Sequence, residues 1–97
     1  MSDYILLMHD DTVTEVPGGD WDAYLQTLKR RGAFEGGSAI GGGVCMRKAG
    51  TAPSITAHLA GYIRVTADSL DKAKSLLNGN PHFEAGGTVE VRELPRI

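Results

Sequence analysis

Apolar and polar residues follow one another along the chain in patterns that predict four strands and two helices. The first helix carries its apolar residues at the spacing i, i+3, i+4 and i+7, which places them on one face: Trp21, Tyr24, Leu25 and Leu28. The strands are indicated by short apolar runs and by two-residue alternation. In chain order we expect a strand over 4–8, a helix over 20–31, an extended segment over 34–46, a strand over 56–66, a helix over 68–77 and a strand over 88–94.

Both helices have recognisable ends. Asp20 and Asp68 are expected to cap them, because a side-chain oxygen at this position accepts a hydrogen bond from a free backbone N–H group. Gly32 is expected to end the first helix, and 78–81, which reads Asn-Gly-Asn-Pro, is expected to end the second. The second helix is expected to bury a stripe of four apolar residues: Leu70, Ala73, Leu76 and Leu77.

The order strand, helix, strand, strand, helix, strand is typical of the ferredoxin-like βαββαβ arrangement, an α+β fold. In this arrangement an antiparallel sheet carries both helices on one face. The other face of the sheet is partly apolar, and an apolar surface of this kind is usually buried against a partner. In a two-fold symmetric dimer, the same face of a second copy would bury it. We therefore expect a homodimer that encloses a chamber between two sheets.

Composition limits the classes of partner. The 97 residues fit one domain over 1–97, and a net charge of −2 gives no basic surface for nucleic acid. No stretch approaches the roughly 18 apolar residues that span a bilayer. The first ten residues have an acidic start and only a short apolar run, so we expect no signal segment. Because Cys45 is the single cysteine, neither a disulfide framework nor a zinc motif is possible, so we expect a cytoplasmic protein without metal or cofactor.

Five polar side chains are candidates for chemistry because strand alternation turns them away from the helices: His58, Tyr62, Arg64, Glu90 and Arg92. Imidazole, phenol, guanidinium and carboxylate groups around one concavity could bind a small polar molecule or move a proton. Polar alternation is also what a one-sided antiparallel sheet shows in general, so the same groups could instead pair across a wet dimer interface.

Three further residues carry reactive groups, each with an ordinary structural alternative. His9 ends the first strand beside Asp10, but neighbours in a strand point to opposite faces, so the two do not converge by default. His82 follows Pro81 in a stretch expected to be a loop, where an exposed or edge-packed position is typical. Cys45 lies in an apolar stretch, and free cysteines are often buried small hydrophobes.

The chain holds 13 glycines, against roughly seven at average usage. The run Gly41 to Gly43 matches no phosphate-binding motif, because it continues into apolar residues and not into a helix. Glycine within a strand marks a bend or a close approach. We expect 41–43 to lie in a bent strand against the dimer partner or the chamber wall.

Two stretches, 61–73 (GYIRVTADSLDKA) and 80–92 (NPHFEAGGTVEVR), resemble the C-terminal half of the YCII-related family. Residues 4–9 and 36–43 resemble its first two strands. The resemblance covers nearly the whole chain, and it implies a dimeric α+β barrel. It is strongest over 86–92 and weakest over 12–19.

The chain departs from two branches of that family. One branch has an Asp-Gly-Pro-Phe motif before the third strand, where this chain reads Ser-Ile-Thr-Ala-His-Leu over 54–59. An enzyme-like branch is implied to pair a first-helix His with a following Asp, and neither is present here. The resemblance therefore favours a small-molecule binding protein without its own chemistry. The alternative is a cofactor-independent enzyme of the proton-transfer, lyase or isomerase type, drawing on His9, His58, Tyr62 and Glu90.

Overall fold

Four strands and three helices make up the computed structural model, which describes residues 1–96. The elements are β1 (Ser2–His9), α1 (Asp20–Arg30), β2 (Phe34–Ala39), β3 (Leu59–Ala67), α2 (Leu70–Ser75), α3 (Pro81–Glu84) and β4 (Val89–Leu94). All pairings are antiparallel, and the sheet order is β2-β3-β1-β4. This order and direction are those of the predicted ferredoxin-like fold.

The hydrophobic core lies between the sheet and the helices. Alternate residues of β1 are buried, and Leu6, which pairs with Ile63 of β3 and Val91 of β4, is fully buried. Both helical regions pack on this same face, through residues that join the strands in one cluster: Tyr24, Leu28, Ala73, Leu76 and Leu77. Complete burial of a leucine such as Leu6 contributes roughly 1.5–3 kcal/mol, so the helices stabilise the fold by covering this face of β1.

The opposite face of the sheet, which we call the open face, carries no helix. Its central strand presents Ile5 and Leu7, which are half-buried. By register, Leu7 lies between Tyr62 of β3 and Glu90 of β4. The open face is therefore apolar along its centre and polar on both sides of that centre.

The second strand is shorter than predicted. β2 ends at Ala39, β3 begins at Leu59, and residues 40–58 form an irregular loop. Ile40 still donates to the Ala60 carbonyl at 3.0 Å, but no ladder continues through the glycines that follow. Glycine has no side chain to pack on a neighbouring strand, so the run at 41–43 does not sustain pairing. The expected strand over 34–46 was wrong beyond Ala39.

The N-terminal caps also differ from the expected ones. Gly19 occupies the cap position of α1 in a left-handed conformation (φ 89°), and Asp20 is the first helical residue. Ser69, not Asp68, caps α2, where its Oγ accepts from the backbone N–H of Lys72 at 3.2 Å. The cap bond spans three residues, and Asp68 lies one residue too early to make it. Gly32 does end α1, as expected, with a positive φ of 69°.

The segment after α2 holds a short helix that the sequence pattern did not predict. α3 is one turn long and begins at Pro81, which has no N–H group to leave unpaired. Leu70, expected in the buried stripe of α2, is instead 51% exposed. None of the helices between residues 1 and 96 has the length and apolar character needed to cross a bilayer.

Candidate functional site

A cavity of about 370 Å³ opens between α1 and the β2–β3 half of the sheet. We call it the α1–sheet cavity. Its walls are mainly apolar, with one imidazole. The lining residues are Met8, Trp21, Leu25, Phe34, Gly37, Ser38, Ala39, Ala60, Gly61, Tyr62, Ile63 and His82.

Small residues at paired positions create this cavity. Gly37 pairs with Ile63, and Ala39 pairs with Gly61, so two neighbouring strands lack bulk on the helix side of the sheet. A Cβ on Gly37 would lie 2.7 Å from the Tyr62 carbonyl oxygen, and one on Gly61 would lie 3.1 Å from that of Ser38. These two glycines therefore allow close strand pairing and leave space beneath α1.

His82 enters the cavity lining from α3, which holds it firmly. The Asn80 side chain accepts from the Phe83 backbone N–H at 3.0 Å and caps the turn. The His82 carbonyl accepts from Gly87 N at 3.0 Å, which fixes the chain on the other side. His82 is 8% exposed. The expectation that it lies in a loop was wrong, because the Asn80 cap and Pro81 start a helical turn there.

The His82 ring is also fixed at one edge. Its Nε2 is hydrogen-bonded to the backbone carbonyl oxygen of His9. A carbonyl can only accept, so Nε2 is the donor. A Cβ on Gly87 would lie 2.5 Å from Cδ2 and 2.7 Å from Nε2 of the ring. The edge formed by Cδ2 and Nε2 is thus packed against the backbone at residue 87, which must be glycine to make room.

The chain around His9 is tied to the start of β4. Asp11 accepts from the backbone N–H of Thr88 at 2.8 Å and from its hydroxyl at 2.7 Å. These two bonds, the backbone one first, lower the pKa of Asp11 below its usual value. The Ala85 carbonyl accepts from the N–H groups of Val13 and Thr14. The loop after β1 is therefore held beside α3.

A second group of polar residues lies on the open face. His9 Nε2 lies 3.1 Å from Glu90 Oε1, and Arg92 Nη1 donates to Glu90 Oε2 at 2.9 Å. The rings of His9 and His58 meet edge to face with centroids 4.9 Å apart. Hydrogen bonds from Arg92 and then His9 hold the pKa of Glu90 below its ordinary value. We call these four residues the open-face cluster.

The five residues expected to share a chamber wall fall into two groups. Glu90 and Arg92 belong to the open-face cluster together with His58. Tyr62 and Arg64 lie on β3, on the other side of β1 from β4. Strands are spaced about 4.8 Å apart, so roughly 10 Å separates β3 from β4. Sequence reasoning did not pair His9 with Glu90, since that contact joins residues 81 positions apart.

The remaining candidates lie in the loop over 40–58. Cys45 is exposed, contrary to the expectation of a buried small hydrophobe. Gly41, Gly42 and Gly43 are exposed as well, and a Cβ on any of them would meet nothing within 4 Å. Their expected contact with a dimer partner or the chamber wall involves a second copy and stays a prediction. Among residues 1–96 no three His, Cys, Asp or Glu side chains are grouped to hold a metal ion.

The chain matches no protein-family model, and no curated protein matches it in sequence. A solved structure with the same fold is that of 5-chloro-2-hydroxyhydroquinone dehydrochlorinase from Burkholderia phenoliruptrix AC1100, in complex with 2,5-dihydroxybenzoquinone. The two share 20% identity at a TM-score of 0.58, over 98% of this chain and 95% of that one. At this identity the likeness shows the fold, which is the ferredoxin-like α+β fold of dimeric α+β barrel proteins.

Proposed function

We propose that this chain binds a small, flat, ring-shaped molecule in the α1–sheet cavity. The observation that carries the proposal is the cavity itself, about 370 Å³, which is lined by Trp21, Phe34 and the imidazole of His82. Ligand sites are typically concave and apolar with few polar groups, and this volume is at the small end of their range. Aromatic walls favour a ring because offset stacking and edge contacts add to apolar burial.

The fold relative supports the same class of ligand. The compound in complex with that dehydrochlorinase, 2,5-dihydroxybenzoquinone, is a flat six-membered ring with oxygen substituents. We further propose that this chain is a YCII-related homodimer, on the basis of the resemblance over 61–73 and 80–92 together with the shared fold. In such a dimer the open faces of two copies would meet, and the apolar centre formed by Ile5 and Leu7 would be covered.

The chamber between the two sheets is the second candidate site. The observation that favours it is the open-face cluster, in which Glu90 is bonded to both His9 and Arg92. Together with His58, Tyr62 and Arg64, these groups would line the chamber and could bind a small polar molecule. Within one chain, however, the Glu90 carboxylate is already paired on both oxygens, so it is less free to receive a ligand.

A cofactor-independent enzyme remains the alternative to a binding protein. In the α1–sheet cavity, the acid or base would be His82, a residue that the sequence pattern did not favour. An imidazole is suited to proton transfer near neutral pH. The reaction class would be proton transfer, lyase or isomerase chemistry. The imidazole would take a proton from one atom of the substrate and return it to another atom or, in a lyase reaction, to the group whose bond to the substrate breaks.

A thermal-shift experiment separates the two sites. A ligand that binds the folded state raises the melting temperature, so 2,5-dihydroxybenzoquinone and catechol are titrated into wild type, Trp21→Ala and Arg92→Ala. We expect a shift in wild type that Trp21→Ala loses and Arg92→Ala retains. The reverse pattern would assign the ligand to the chamber, and no shift in wild type at millimolar ligand would contradict both sites for this class of molecule.

A further inference from the structure

We infer that the fold locks His82 in one tautomer, with the proton on Nε2 and a free acceptor at Nδ1, and that the α1–sheet cavity therefore selects rings that carry a hydroxyl group. The inference rests on the proposed function of the cavity and names the ligand class.

The hydrogen bond to His9 places a proton on Nε2 of His82. The His9 carbonyl oxygen is its partner, and this oxygen also accepts from Asp11 N at 3.0 Å. The carbonyl cannot swing away, because His9 N donates to Thr88 O at 2.9 Å and the next residue's N–H donates to His58 O at 2.6 Å. A protein acceptor fixed in this way keeps a proton on Nε2, so in the neutral form of the imidazole the lone pair is on Nδ1.

The orientation of the His82 ring is determined by Gly87 and by the bond to His9. Gly87 packs against Cδ2 and Nε2, so the edge that carries Nδ1 is turned away from the Gly87 backbone. A ring flip would place carbon against the His9 carbonyl and would break the bond that Nε2 makes. Between residues 1 and 96, no side chain or backbone group donates to Nδ1. Since His82 lines the cavity, Nδ1 is the nitrogen available to a ligand.

The polarity of the cavity lining determines which kind of ring the cavity accepts. Ser38 and Tyr62 also border the cavity, but they alternate with the helix-side residues of their strands and so carry their side chains on the open face. The Ser38 hydroxyl is engaged with the Ala39 carbonyl at 2.9 Å. The remaining walls are largely apolar, and a polar group buried there without a partner is costly. A ring hydroxyl can donate to Nδ1, whereas an O-methylated ring has no proton to donate. A hydrogen bond of this kind changes affinity by about 2- to 10-fold.

Two measurements test the inference. The first is nitrogen-15 NMR of histidine-labelled protein, with the His82 signals assigned by their loss in His82→Gln. We expect the neutral ring to carry its proton on Nε2 and none on Nδ1, and a neutral ring with its proton on Nδ1 would overturn the inference. This readout depends on the tautomer, so a purely structural role for His82 would not produce it.

The second measurement compares catechol with 1,2-dimethoxybenzene by calorimetric titration. We expect wild type to bind catechol about 2- to 10-fold more tightly. His82→Gln places an amide nitrogen near the position of Nε2, which preserves the bond to His9, but it has no acceptor at Nδ1. It should bind both compounds equally.

The outcomes distinguish this inference from the proposed function. Equal binding of both compounds to wild type would overturn the inference and leave the cavity as a ligand site. Binding of neither compound would contradict the proposed function for such rings, and with it the ligand class named here. If His82→Gln fails to fold, a catechol-induced shift of the Nδ1 resonance in wild type replaces it, and an unshifted Nδ1 in a catechol complex would refute the inference.

Discussion

A Cβ atom on residue 87 would lie 2.5 Å from Cδ2 of the His82 ring, so the absence of a side chain at Gly87 is what gives this imidazole its place. Gly87 has no unusual backbone angle to explain it. Its role is to leave room. The two residues are five positions apart, and the hydrogen bond from Gly87 N to the His82 carbonyl, 3.0 Å long, holds them together.

Gly87→Ala should therefore destabilise the fold and displace the His82 ring. Forcing an extra methyl group into a packed site costs typically 1–3 kcal/mol, which chemical denaturation can resolve. The matched control is Gly42→Ala, where the added methyl group meets nothing within 4 Å and the change in unfolding free energy should stay within about 0.5 kcal/mol. Equal stability of the two variants would contradict the packing described for Gly87.

Asp11→Asn should lower stability in a pH-dependent way. Folding lowers the pKa of the Asp11 carboxyl below 3.8, mainly because it accepts two hydrogen bonds from Thr88. A lowered pKa means that the ionised form is favoured in the folded state. Its contribution is therefore complete above pH 3.8 and is lost as the pH falls through the folded-state pKa.

The measurement is the melting temperature of wild type and Asp11→Asn across the acidic range. The difference between the two proteins should be largest near neutral pH and should shrink as the carboxyl of wild type becomes protonated. Asp68→Asn serves as the control, since that carboxyl makes no hydrogen bond within the described chain. A difference that stays constant with pH would show that the two bonds from Thr88 do not depend on charge.

Tyr24→Phe should destabilise the packing of α1 on α2. The buried Tyr24 hydroxyl donates to the Leu76 carbonyl at 2.7 Å, and its burial raises the pKa of the phenol. Removing the hydroxyl leaves a buried carbonyl without this donor, at a cost of about 1–3 kcal/mol in urea unfolding. Tyr62→Phe is the matched control, because the Tyr62 hydroxyl makes no hydrogen bond within residues 1–96. A loss no larger than that of the control would be inconsistent with a buried, functional bond.

Leu7→Glu should abolish the proposed homodimer. Leu7 lies at the apolar centre of the open face, and a charge buried between two sheets without a partner is strongly unfavourable. Sedimentation velocity should find wild type as a dimer and Leu7→Glu as a folded monomer. Leu70→Glu, on the exposed surface of α2, should remain dimeric. A wild type that is monomeric at tens of micromolar would refute the dimer directly.

The sequence was sufficient to predict the fold because the determining patterns are local. Apolar spacing in α1 and alternation in β3 and β4 each indicate the buried face of an element, and the element order then leaves few topologies. The single turn α3 was missed because four residues carry no periodicity. The end of β2 was missed because a glycine run permits extended backbone whether or not a neighbouring strand pairs with it.

The cavity could not be predicted in the same way. It depends on Gly37 and Gly61 lying on adjacent strands, which is a consequence of strand register. The hydrogen bond from His82 to His9 joins positions 73 residues apart. The sequence does contain a pattern that predicts a fixed position for His82. This residue follows Asn80 and Pro81, which is typical of a capped helix start, and two consecutive glycines, Gly86 and Gly87, come shortly after it. This pattern predicts that the backbone at His82 is held in a helical turn, but it does not predict which groups the ring contacts.

His9 makes contacts on both faces of the sheet, one through its side chain and the other through its main chain. Its imidazole belongs to the open face, while its main-chain oxygen is the partner of His82. A main-chain oxygen is present whatever amino acid stands at position 9, so a substitution there that preserves the backbone leaves the partner of His82 in place. At positions 82 and 87, by contrast, the identity of the side chain matters, because a single substitution removes the ring or the space that it occupies.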